Sequence, residues 1–509
     1  AGQPLPFAGR SDSKSRTNYG RGHFSAVFDP TPKHTAGFDI EYTERSTHMP
    51  TLSRTTLGQT QSDSRYRQHM DGNTLTATAN YIWKIDTLGS QFKLIADYTR
   101  YTSDGDNSYH TTTCAPGTLR DSLYESATGS VYDILTADAG LTRKLPHGLT
   151  LRAGLRYTRN DMADKSRYAA QTQGTWLALP EYSYDQHYTE QIGAAYASLE
   201  YSAGRWELSA GLRGEYTSVA SQAFGRSYFG LFPNVSVSRA LNALRTWLLV
   251  AQWSRNIERP AFPALNPARI RISDYSWQSG NPSLRPTYIH RFSLTAVWKY
   301  RYTLTVGGNL HHDLIREIAH RDATAPDAVY IRPENHYTEN HWFVAASVPA
   351  KITRWWNLSV NAVGVMQRIR LNSTDSPATH YLMFADATCS FTLPAGFFAE
   401  AVYRAQSRLY SGNSEVGPRH TLSATVKKQL FGKRLTLFCT LSNITGCDWE
   451  FASLTDGMRR TIDTGQAWSG RLWKVGAAWN FRTGKKFRAR TVESAAETQR
   501  KRLVKSTEQ

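Results

Sequence analysis

The sequence predicts an all-β fold: a transmembrane antiparallel β-barrel. Three observations carry that prediction. Apolar and polar side chains alternate along almost the whole chain, the joints between alternating segments are short and long in turn, and no apolar run of about 18 residues exists to make a helical span. Residues 204–216 show the alternation. Trp206, Leu208, Ala210, Leu212 and Tyr216 fall on one face, and Glu207, Ser209, Gly211, Arg213 and Glu215 on the other. A strand has a side-chain period of two, so this segment has an apolar side and a charged side. A soluble sandwich turns the apolar side inward. A membrane barrel turns it outward and lines a wet lumen with the other.

The elements follow in chain order. A first strand is expected over about residues 20–29, with residues 1–19 as a loop segment on the long-joint side. Leu135, Ala137, Ala139 and Leu141 oppose Thr136, Asp138, Gly140 and Thr142, and Leu149, Leu151, Ala153, Leu155 and Tyr157 oppose Thr150, Arg152, Gly154 and Arg156. Leu304, Val306 and Leu310 oppose Thr305, Asn309 and His311. Leu435, Leu437, Cys439 and Leu441 oppose Thr436, Thr440 and Ser442, with Phe438 as an exception. The last strand sets Trp473, Val475, Ala477, Trp479 and Phe481 against Lys474, Gly476, Ala478 and Asn480. Short joints fall at 29–34, 86–90, 144–148, 202–205, 241–245, 299–302, 350–354, 393–396 and 430–434, with the Gly, Pro, Asp and Asn of tight turns. Long joints are expected at roughly 47–73, 103–129, 161–183, 220–228, 257–287, 316–335, 371–377, 411–416 and 447–463. Short turns at one end and long loops at the other are the outer-membrane pattern, and the tally is about 19 strands. The expected division is a loop segment (1–19), a barrel (20–482) and a basic, solvated periplasmic tail (483–509).

Composition agrees with one barrel. The chain has 509 residues without a composition shift, and 12% are aromatic, including 27 Tyr and 14 Trp, as interfacial girdles require. The net charge of +18 is spread over strands and loops rather than gathered in a patch, which speaks against nucleic acid. Outer-membrane lipid and the phosphates of lipopolysaccharide are the expected anionic partners. Cys114, Cys389, Cys439 and Cys447 lack metal-ligand spacing. Cys439 reads as a small lipid-facing residue, and a bridge between Cys114 and Cys447 is left open. The start, AGQPLPFAGRSDSKSR, carries no apolar signal segment.

Residues 255–286 read RNIERPAFPALNPARIRISDYSWQSGNPSLRP. This stretch resembles a barrel segment of TonB-dependent receptors, in the outer-membrane β-barrel protein branch. The matching positions are Arg259, Pro260, Phe262, Leu265, Asn266, Pro267, Gly280, Asn281, Pro282, Leu284 and Pro286, while Thr287 stands where an acidic residue often follows. The IDTLGS turn (85–90) followed by ADYTRY (96–101) is similar to the same branch. The resemblance implies a 22-stranded barrel in the cell outer membrane, closed by an N-terminal plug and driven by a TonB-type energy coupler, for uptake of a nutrient or cofactor. This sequence shows neither plug nor coupling box, so about three strands and the plug are expected upstream of Ala1. The alternative is a non-transporting accessory barrel, partnered by a surface lipoprotein or other subunits of an outer-membrane complex. The resemblance also gives Trp479 and Phe481 the role of an assembly signal on a terminal aromatic strand.

No enzyme, cofactor or metal site is expected. There is no GxSxG elbow, and no catalytic triad can be argued from spacing. Alternation sends His311 to the lumen and His312 outward, so the pair cannot ligate one ion. The Pro and Gly residues of 255–286 are expected to shape an ordered surface loop, with a solute-binding role for Arg259, Arg269, Arg271 or Trp277 as the functional alternative.

Overall fold

The computed structural model describes residues 6–222, 224–273, 275–322, 328–447, 449–455, 458–464, 471–481 and 492–503. Among the described residues, twenty-three strands form one sheet and four more a second. Setting aside the short strands Phe7–Ser13, Thr175–Ala178, Ile270–Ser273 and Ser276–Gln278, nineteen long strands remain in the main sheet. Each pairs antiparallel with the next along the chain, from Arg16–Thr31 to Leu472–Trp479. The tally of about 19 read from alternation is met. Among the described residues no backbone pairing joins the first long strand to the last. Side chains from both ends meet at the long-loop mouth, where Phe7 lies edge-on to Tyr275 at 5.9 Å and Arg460 sits 4.5 Å above the Phe7 ring.

The two faces of this wall decide its solvent. In the Trp206–Ser221 strand, Leu212 is 49% and Tyr216 55% exposed, whereas Glu215 is 5% and Thr217 0% exposed. Thr136, Asp138, Thr158 and Asn160 are buried in the same way, while Leu135 and Leu155 face out. A water-soluble protein would have this inverted. An apolar exterior around a hydrogen-bonded polar interior is what hydrocarbon outside and a wet lumen inside demand. The inner face is knit by cross-strand hydroxyl pairs such as Thr136–Thr158 (3.2 Å), Thr295–Thr305 (2.9 Å) and Thr425–Thr440 (3.0 Å).

An aromatic girdle marks the short-turn end. Trp247 stacks on Trp298 at 5.6 Å, and Trp355 and Trp356 both pack on Phe391 at 6.0 Å. Lys299 Nζ lies 4.4 Å over Trp298, Arg239 4.7 Å over Trp206 and Lys428 3.9 Å over Phe397. Rings at the headgroup level with cations turned toward lipid phosphates anchor the height of the barrel. Trp479 and Phe481 are exposed at this end.

Three sequence expectations change. The long joints at 47–73 and 103–129 are not loops. The His34–Leu57 and Thr60–Lys84 strands stay in register to a tight turn at Gly58, and Gln91–Ala115 and Thr118–Lys144 do so to Gly117. A strand of 25 residues extends roughly 80 Å, far past the 9–11 residues a bilayer needs, so these hairpins stand tall outside the membrane. The segment 161–183 is likewise strand as far as Thr172. Residues 1–19 were expected as loop; Phe7–Ser13 is a strand paired with residues 51–57, and the first long strand starts at Arg16. The tail was expected to be solvated. Residues 492–503 instead lie within the barrel, with Ala495, Ala496 and Arg502 buried; the rest of 482–509 lies outside the described residues. Among the described residues no disulfide joins Cys114, Cys389, Cys439 or Cys447.

Candidate functional site

The Arg-Pro-aromatic stretch leaves the Trp247–Glu258 strand and turns into the lumen. It is ordered, as its Pro and Gly content predicts, but it is not a surface loop. Phe262–Leu265 forms one helical turn with Pro263 in its first positions. Phe262 (0% exposed), Leu265 and Leu284 join Tyr132, Ile134, Met162, Tyr188 and Val219 from four consecutive wall strands in one apolar cluster. Three large apolar side chains need such a partner, and the inner wall supplies it at this height.

Two asparagines hold the loop's shape. Asn266 Oδ1 accepts from the Tyr184 hydroxyl at 2.6 Å and from Ala268 N–H at 2.9 Å. Asn281 Oδ1 accepts from Ser283 N–H at 3.0 Å, and its amide donates to Pro333 O at 3.0 Å. The two halves are laced by Gly280 N–H to Asn266 O (2.9 Å) and Asn281 N–H to Ala264 O (2.7 Å). A Cβ on Gly280 would sit 2.2 Å from Asn266 O, so only glycine allows this approach. Pro260 and Pro286, both buried, mark where the chain leaves and rejoins the wall, and Pro267 and Pro282 lie between them in the non-strand backbone.

Beyond that turn the loop presents cations to aromatic rings. Trp277 stacks parallel to Tyr182 at 6.4 Å. Arg269 lies 5.2 Å from the Tyr182 ring and 4.9 Å from Trp277, and pairs with Asp322. Arg271 lies 5.4 Å from Trp277, 5.5 Å from Tyr124 and 5.9 Å from Tyr66. Guanidinium and indole faces layered in this way form a surface that takes flat or anionic groups.

Arg259 is the buried electrostatic centre. Its Nη2 donates to Glu215 Oε2 at 2.7 Å and to Thr217 Oγ1 at 2.9 Å, and its Nε is 3.8 Å from Glu190. Glu190 is also paired with Arg502 from the tail and accepts from Asn160 Nδ2 at 2.9 Å. Arg502 Nε donates to Pro260 O at 3.0 Å, and its guanidinium lies 4.2 Å over Phe262. Arg259 therefore holds a structural place in the wall, while Arg269, Arg271 and Trp277 stand together at the stacked surface.

Sequence reasoning did not single out Glu190, Glu215, Asn160, Tyr182, Tyr184 or Arg502. Each sits at an ordinary polar or aromatic position, and nothing in its neighbours along the chain distinguishes it. His311 points inward, its Nδ1 2.7 Å from Glu339 O, and His312 is largely exposed, as alternation requires. Among the described residues no cluster of His, Cys, Asp and Glu has the arrangement of a metal site.

Residues 83–471 match the profile of the "Outer membrane protein beta-barrel family". A search of curated proteins finds no match. Among solved structures, the ferric-catecholate import receptor Fiu from E. coli K12 aligns over 94% of this chain and 82% of its own, with 10% identity and a TM-score of 0.57. The copper transporter OprC aligns over 92% of this chain and 81% of its own at 11% identity and a TM-score of 0.53. FpvAI, solved in complex with pyocin S2, aligns over 92% of this chain and 72% of its own at 11% identity and a TM-score of 0.53. With the inverted faces, the girdle and the profile match in agreement, the chain belongs to the outer membrane protein β-barrel family, with the fold of the receptor barrels it resembles.

Proposed function

We propose that this chain is the barrel of an outer-membrane uptake receptor, importing a nutrient or cofactor too large for porins. The carrying observation is the inward loop, which places Arg269, Arg271 and Trp277 beside Tyr182 inside a wall of the receptor fold. The loop is ordered and carries aromatic and cationic groups side by side. Such a surface favours a solute with planar or anionic groups. Fiu is a ferric-catecholate import receptor and OprC a copper transporter, which supports an uptake reading, and energy coupling through a TonB-type partner belongs to the same proposal. No catalytic step is assigned to the chain.

Growth tests this. A strain lacking the gene should lose growth on at least one limiting source among ferric catecholates, copper complexes and larger cofactors. The wild-type gene should restore it, and a gene carrying Arg269→Ala, Arg271→Ala and Trp277→Ala should not. Unchanged growth on every source, with stoichiometric partner proteins in native-membrane purifications, would favour an accessory barrel instead.

A further inference from the structure

We propose that residues 492–503 are a lumen plug carried by the barrel chain itself, latched by Arg502. The segment climbs the inner wall. Val492 stands against Gly37, close to the short-turn end, where an added Cβ would meet Val492 Cγ2 at 3.0 Å. Glu493 pairs with Lys93. Ala495 N–H donates to the buried Asp97 carboxylate at 2.7 Å, and Asp97 also accepts from Thr78 Oγ1 at 2.5 Å. Gln499 Oε1 accepts from Asn160 Nδ2 at 3.4 Å and from Arg502 Nη1 at 2.8 Å. Arg502 then enters the Glu190 site, and Leu503 packs on the apolar cluster beneath the inward loop.

These contacts are specific rather than space-filling. Ala495 and Ala496 are small residues where the fit is tightest, at 8% and 0% exposure. Arg502 is met by a carboxylate of the wall and by a backbone carbonyl and an aromatic face of the inward loop. Glu190 also lies 3.8 Å from Arg259 Nε, but the short contact of that guanidinium goes to Glu215 at 2.7 Å. Withdrawing Arg502 takes the nearest cation from a buried carboxylate, and breaking a buried ion pair is strongly disfavoured. The wall is thus built to hold this segment. Because the segment touches the inward loop through Phe262 and Pro260, release of one loosens the other. This inference does not depend on the uptake reading, since it concerns what fills the lumen and not which solute crosses it.

The test uses the full chain in outer-membrane vesicles and a membrane-impermeant maleimide, with labelling rates read by peptide mass spectrometry. Native Cys114, which is exposed, is the internal reference. Ala496→Cys should label roughly tenfold or more slower than Cys114, and Ser494→Cys serves if the first variant packs badly. Adding Arg502→Glu should raise the rate at position 496 by about tenfold and increase ion conductance in planar bilayers. Heat-modifiable migration on gels verifies that each barrel has folded. Labelling of position 496 at the Cys114 rate in the parent chain overturns the plug. Slow labelling that Arg502→Glu leaves unchanged overturns the latch.

Discussion

Phe438 breaks the alternation of its strand and shows how single residues tune this wall. It faces Gly476 across the sheet, where an added Cβ would lie 2.4 Å from the Phe438 ring. The ring occupies the space that glycine leaves, an aromatic covering a glycine gap. Gly476→Val should therefore cost about 1–3 kcal/mol in urea unfolding from detergent micelles, by overpacking. Asp86 does a different task in the IDTLGS turn. Its Oδ1 accepts from Leu88 N–H and Ser90 N–H, both at 2.9 Å. The Ser90 hydroxyl, then the Ser90 amide, hold its carboxyl below the usual range. A depressed folded pKa gives stability that is present above the ordinary carboxylate pKa of 3.8 and is lost as pH falls through the folded value. The stability gap between wild type and Asp86→Ala should be widest near neutral pH and narrow as pH falls below 3.8, measured by thermal unfolding. Neither role is visible in the sequence alone. Phe438 reads there as a misplaced apolar residue, because its explanation lies on the neighbouring strand.

At the scale of elements, turns were legible and long hairpins were not. Short joints carry Gly, Pro and Asx and announce themselves, and the His147–Gly148, Ala395–Gly396 and Gly432–Lys433 turns use the positive φ those residues mark. The tall extensions at 47–73 and 103–129 are rich in Ser, Thr, Asp and Arg, which reads as loop. Once clear of the bilayer a strand needs no apolar face, so the alternation fades while the backbone ladder continues. The motif at 255–286 was legible as an ordered excursion but not as an inward one, because direction is set by the apolar pocket on distant strands. Phe262→Ala should remove about 3–5 kcal/mol from that docking, seen as faster hydrogen exchange over 259–286 while the wall strands keep their protection. Leu212, on the outer face of its strand, gives the opposite test of placement. Leu212→Arg should destabilise the folded barrel by about 2–4 kcal/mol in bilayers, and by much less if that face were wet.

The whole molecule is an inside-out protein whose interior takes up the inward loop and residues 492–503. Its strands spend leucine, valine and tryptophan on the exterior and threonine, aspartate and glutamate on the interior. That inversion follows from a period of two read against the solvent on each side, which is why strand number and faces could be taken from sequence. The filling could not. Arg502 and Glu190 are 312 positions apart, and neither belongs to a local pattern. The lumen site is assembled by the pairing of neighbouring wall strands around the inward loop, from residues that look like any other polar strand position until the fold brings them together.

The inversion itself is tested by adjacent labels on one strand. A fluorophore on Leu212→Cys should be quenched by bromine-labelled lipid tails and not by aqueous iodide. The same fluorophore on Arg213→Cys should escape the lipid quencher. Equal lipid quenching at both positions, or a reversed pattern, would contradict the account.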